Sequence, residues 1–142
     1  MIVLDTNIVL DLFVFNDPAS QTLKQALQGG QVRWIATLVM RDELERVLAY
    51  PQIVPRLTFC GLTAADVLRQ FDGLAQLEPI APKAPLRCSD ADDQKFIDLA
   101  MARQTVLLSK DRAVLRMKKR LAAMGVRVQT QYAATPASPI SE

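Results

Sequence analysis

MIVLDTNIVL (residues 1–10) runs four apolar residues into a carboxylate, Asp5, then Thr6 and Asn7, then apolar residues again. Met1 to Leu4 read as the start of a buried strand, and an acid at the end of such a strand is costly unless something pairs with it. Asn7 through Phe15 could then start a helix, with Asn or Thr as its cap. The first ten residues therefore ask what partners Asp5.

Bulk composition limits the answers. At 142 residues the chain is long enough for one domain with a real core, and half its residues are hydrophobic, as in ordinary globular proteins. No apolar stretch reaches a membrane span, so no membrane partner is expected. No basic leader precedes the first apolar run and Asp5 interrupts it, unlike a secretory signal. Cys60 and Cys88 stand far apart in no metal-ligand spacing and read as reduced thiols of a cytoplasmic protein. The absence of histidine excludes Ser-His-Asp and Cys-His hydrolases and His-ligated zinc. Net charge is only +2, but Lys110 to Arg120 hold six basic residues against one acid. That run is either a solvated helix face or a phosphate-contacting surface.

Working outward from Asp5, apolar periodicity and caps predict helices over 7–15, 18–28 and 38–50, with Leu38, Val39, Leu44, Val47 and Leu48 as the inner face of the third. Residues 55–63 read as irregular or a short turn. Further helices are expected at 63–75, behind a Thr63 cap, at 89–104 and, as one piece, at 111–125, closed by Gly125. Strands are expected at 2–6, 33–37, 105–109 and 126–130, and the proline-rich 77–89 reads as a loop. Alternating strands and helices give a three-layer α/β/α architecture around a parallel sheet of four to five strands. Sites in such sheets lie at the carboxyl ends of strands, and Asp5 and Asp111 both fall there.

Two further acidic clusters open helices, RDELE (41–45) with Glu43 at the edge of the apolar face, and SDADD (89–93) with Asp90, Asp92 and Asp93. Capping accounts for one aspartate at a helix start but not for three. Like charges this close repel unless a cation compensates. Carboxylates without histidine or paired cysteine select hard cations, Mg2+ or Mn2+ rather than zinc. On this reading the partner of Asp5 is a metal ion.

Taken together, VLDTN, ELERVL, DADDQKF and LLSKDRAVL resemble the PIN domain, in order over about residues 1–130, and most closely its branch of toxin components from toxin–antitoxin pairs. The polar, proline-containing residues 131–142 would form a flexible tail. The resemblance implies a parallel sheet with a negatively charged cleft and a ribonuclease using one or two Mg2+ or Mn2+ ions. It matches Asp5 to the first acidic position, with Asn7 beside it, Glu43 to the second, and Asp111 to the last, in a hydroxyl-x-Asp turn with Ser109. The third acidic slot of many PIN domains falls on Gln94 here, so that role passes to Asp93, with Asp90 and Asp92 as supporting neighbours. Asp5 and Asp93 are the expected direct ligands, while Glu43 and Asp111 bind metal or orient its waters. Lys110, where relatives carry a small residue, would touch a phosphate or pair with the carboxylates. Arg112, Arg116, Lys119 and Arg120 would anchor RNA, the last three as one stripe of a continuous helix. Expected partners are RNA, a small antitoxin protein and a second copy of the chain, the last because LDLFVF (10–15) holds more apolar surface than one helix face buries. The rivals are a PIN fold that binds without cutting, DNA as substrate, and a phospho-acceptor signalling domain.

Overall fold

A computed structural model describes residues 1–133. The apolar run at the N-terminus becomes β1 (Ile2–Leu4), every side chain of it buried. Asp5 then caps α1 (Thr6–Phe13), accepting from the Ile8 amide through Oδ1 at 2.9 Å. After a 3-10 turn, α2 (Gln21–Gln28) leads to β2 (Trp34–Ala36). Next come α3 (Leu38–Leu48), α4 (Val54–Phe59), α5 (Ala64–Leu74) and β3 (Ala75–Leu77). The long loop ends in a second 3-10 turn (Ala91–Asp93) that feeds α6 (Gln94–Arg103). The chain closes with β4 (Val106–Leu108), α7 (Arg112–Leu115), α8 (Lys118–Ala123) and β5 (Val128–Gln129).

All five strands are parallel, in the order β3-β2-β1-β4-β5. Central β1 pairs in register with β4, Ile2 to Leu4 facing Val106 to Leu108. The central strands read as unbroken apolar runs because helices cover both faces. Trp34 anchors one side, stacked edge-on to Phe71 at 4.9 Å between ring centroids. From β1 the chain winds outward through β2 and β3, then returns to the other side of β1 for β4 and β5. The winding reverses between β1 and β4, and the crevice outside their carboxyl ends is where sheets of this kind hold their ligands.

Several expectations are corrected. β3 was not anticipated; it is a short edge strand with a partly exposed, non-alternating pattern. Residues 54–59 are helical, because Pro55 in the first turn lacks only an amide that no helix start could use. The helix expected over 111–125 is two short helices: the Met117 amide donates to the Val114 carbonyl three residues back, a tighter turn that separates them. In α3 the inner face is Met40, Leu44 and Leu48, while Leu38 and Val39 are exposed. Leu10, Leu12, Phe13 and Val14 are all buried within the chain and only Phe15 is exposed, so the apolar run 10–15 no longer argues for a second copy. Tyr132 packs half-buried on the core, and residues 134–142 of the expected tail lie outside the described ones. Among the described residues, no helix is long and apolar enough to cross a membrane.

Candidate functional site

β1 and β4 end side by side, and their next residues interlock. The Asp5 amide donates to the Leu108 carbonyl at 3.1 Å. Ser109, fully buried, donates its hydroxyl to Asp5 Oδ2 at 2.5 Å and accepts from the Asp111 amide at 3.1 Å. Asp111 in turn caps α7, its Oδ1 accepting from the Ala113 amide at 2.8 Å. The Ser109 hydroxyl thus ties the Asp5 carboxylate to the backbone amide of Asp111.

Above them opens a cleft of about 220 Å³ lined by Asp5, Asn7, Glu43, Asp90, Asp93 and Asp111 among others. All four principal carboxylates expected from the sequence reach it: Asp5 from the end of β1, Glu43 from α3, Asp93 from the turn before α6, Asp111 from the turn after β4. Asp92 lies on its exposed rim, as does Asn7. Oxygens of Asp90, Asp93 and Asp111 come within 4.8 Å of one another. Asp90 therefore stands nearer the centre of the cluster than a supporting role implied. Asp5 lies deeper, with both carboxylate oxygens already accepting hydrogen bonds.

The electrostatics of the cleft are unbalanced. Loss of water on burial, then the negative charge of Asp111 and Asp90, pushes the Asp93 carboxyl up to about 7. Burial, only partly offset by the Ser109 hydroxyl and the Ile8 amide, pushes Asp5 up to about 6. Among the described residues, Asp93 Oδ2 is buried with no hydrogen-bond partner. An orphaned buried carboxylate oxygen among crowded carboxylates is what a hard divalent cation satisfies, and an all-oxygen donor set suits Mg2+ or Mn2+. Asp90, Asp93 and Asp111 could hold such an ion, with Asp5 beneath them.

Gln94, in the slot where an acid stood in the expected pattern, turns away from the cleft. Its amide accepts from the Cys88 amide at 2.6 Å and donates to the Leu86 carbonyl and to Asp98, both at 2.9 Å. Asp98 also accepts from the Ala84 amide at 2.8 Å, so the pair clasps the proline-rich loop onto α6 and fixes the turn that carries Asp90 and Asp93. Lys110 is a correction. It pairs with Asp11 in a neighbouring hollow beside α1 and touches none of the clustered carboxylates. Arg112, Arg116, Lys119 and Arg120 are exposed and none lines the cleft.

Two residues at the site were missed in the sequence. Thr6 donates its hydroxyl to Glu43 Oε1 at 2.7 Å. Lys95, in the first turn of α6, reaches the same oxygen at 3.1 Å, donates to the Asp92 carbonyl at 2.5 Å, and stands 4.9 Å from the Phe96 ring centroid. Part of the signal is local: side chains on a helix lean toward its N-terminus, so a lysine in the first turn behind DADD reaches back to the Asp92 carbonyl, while its meeting with Glu43 depends on how α3 packs.

A protein-family model described as PIN domain matches residues 1–113. The match takes in Asp5, Glu43, Asp90, Asp93 and Asp111 and ends before Arg116. No curated protein matches the chain.

Proposed function

The chain belongs to the PIN-domain family, a family of nucleases, and from that membership we propose that it is a Mg2+- or Mn2+-dependent endoribonuclease. The observation that supports the reading best is the buried, unpartnered Asp93 oxygen beside Asp90 and Asp111, at the point where the winding of the sheet reverses. Asp90, Asp93 and Asp111 would hold the ion, with Asp5 below them. When bound, such an ion lowers the pKa of a coordinated water and neutralises charge on the phosphate under attack. The protein's part is to fix the carboxylates: Ser109 and the Ile8 amide hold Asp5, the Ala113 amide holds Asp111, and the Gln94–Asp98 clasp holds the turn of Asp90 and Asp93. An ion held there would favour the ionised forms of the raised Asp93 and Asp5 carboxyls, which would tie ion affinity to pH.

Arg112, Arg116, Lys119 and Arg120 form the exposed basic surface that would hold the RNA backbone by contacts carrying no sequence information. The resemblance to toxin components extends the proposal to a toxin of a toxin–antitoxin pair, acting in the cytoplasm as a homodimer and restrained by a small antitoxin protein. The phospho-acceptor alternative is set aside by topology, since receiver domains order their strands 2-1-3-4-5 and this sheet runs β3-β2-β1-β4-β5.

The test is cleavage of single-stranded RNA and DNA by purified protein with Mg2+, Mn2+ or EDTA, beside Asp93→Asn. Metal-dependent cutting of RNA that EDTA and Asp93→Asn both abolish is expected. Equal cutting of DNA would move the substrate class. No cutting under any metal would leave a PIN fold that only binds.

A further inference from the structure

The cleft has two unlike ends. At one, Asp90, Asp93 and Asp111 bring oxygens within 4.8 Å of one another, and Asp93 keeps an oxygen without a partner. At the other, Glu43 is already engaged through one oxygen: Oε1 accepts from the Thr6 hydroxyl and from the Lys95 ammonium. That ammonium is itself held. It donates to the Asp92 carbonyl, the Phe96 ring lies against it, and only about 20% of the Lys95 side chain is exposed. Lys95 also lines a separate hollow with Thr37, Val39 and Ile80, so it approaches Glu43 from behind the wall of the cleft.

Resting on the nuclease reading above, we infer that the Lys95 ammonium takes the place of a second metal ion at Glu43, so that the centre binds one divalent cation and Glu43 is a positioning residue rather than a ligand. Glu43 lies outside the group of mutually close carboxylates. A divalent ion on either of its oxygens would stand inside the roughly 8 Å over which physiological salt screens charge, facing a fixed ammonium. Lysine provides a point charge that needs no metal in solution, and a fixed ammonium 3.1 Å from Oε1 opposes, by charge, a dication on the remaining carboxylate oxygen. Glu43 then links three elements: α1 through Thr6, α3 through its own backbone, and α6 through Lys95. By holding the start of α6 it holds the turn that presents Asp93.

The experiment counts Mn2+ per chain, by electron paramagnetic resonance of free Mn2+ and by calorimetry, on wild type, Lys95→Met, Lys95→Arg and Glu43→Gln, each first checked for a cooperative melt. One ion per wild-type chain is expected, rising to two in Lys95→Met and staying at one in Lys95→Arg. Glu43→Gln should keep one ion with affinity within about threefold of wild type. Two ions on the wild type, or a loss of tenfold or more in affinity for Glu43→Gln, overturns the inference while leaving the nuclease reading intact. No Mn2+ bound to wild type overturns both. If Lys95→Met does not fold, the wild-type count and Glu43→Gln decide.

Discussion

Asp5 sits under the cleft at a carboxyl that burial raises to about 6, against an ordinary value of 3.8. A folded carboxyl that grips its proton more tightly than the unfolded one contributes stability at low pH and loses it as pH rises through its folded value. Asp93, raised to about 7, acts with the same sign. Metal-free protein should therefore melt at a lower temperature at pH 8 than at pH 5. Asp5→Asn removes its share, roughly 2–3 kcal/mol at pH 8, and should be the more stable protein there while cutting no RNA. The Ser109 hydroxyl can turn to accept from the new amide, so the fold should hold. A wild-type melting temperature flat from pH 5 to 8 in EDTA would refute this. At this scale Asp5, Asp90, Asp93 and Asp111 are legible because each follows a strand end or opens a helix, positions that topology brings to one rim, while Glu43 stands in the second turn of α3. Direction was not legible. Lys110 is adjacent to Asp111 yet faces Asp11, and Lys95, which nothing singled out, reaches Glu43.

Short elements explain most of what the sequence concealed. Strands of two or three residues leave a periodicity reading little to count, and β3 lacks even the apolar run that marks β1, β2 and β4. Caps were clearer: Thr63 and Asp66 form the reciprocal capping box of α5, and the expected start falls within a residue of the observed one. The split between α7 and α8 matters for function, since a single stripe of Arg116, Lys119 and Arg120 requires one continuous helix. Arg116 now ends α7 while Lys119 and Arg120 belong to α8, though all three are exposed. If they still share a strand of RNA, replacing all three by alanine should weaken binding of every sequence alike. The slope of log affinity against log salt should flatten by about 0.7 for each phosphate no longer neutralised by a side chain. Cleavage at saturating substrate should persist, because none of the three lines the cleft. An unchanged salt slope in filter binding would reduce this surface to a solvated face.

Across the whole molecule the acidic cleft opposes folding and the core supports it. The sheet is buried between helices, with Val3, Ile35, Leu107 and Leu108 fully inaccessible, and that burial fixes where β1 and β4 end. Their ends, the start of α6 and the wall of α3 then force the carboxylates together whether or not a cation is there to share. A divalent ion that binds only the assembled rim is linked to the folding of every element that contributes a ligand. The stabilisation is RT ln(1 + [ion]/Kd), about 2.7 kcal/mol at a hundredfold excess over Kd. For a chain of this size that corresponds to a rise in melting temperature on the order of 10 °C. Mn2+ against EDTA, followed by circular dichroism, measures it directly. The rise should be larger at pH 8 than at pH 5.5, because protons compete for the carboxyls that burial has raised. Asp93→Asn should abolish the rise, since it removes a charge from the three-carboxylate group, whereas Asp92→Asn, outside that group, should retain most of it. A rise that survives Asp93→Asn would place the ion somewhere other than this rim, and the account of how the fold holds its acids together would fail with it.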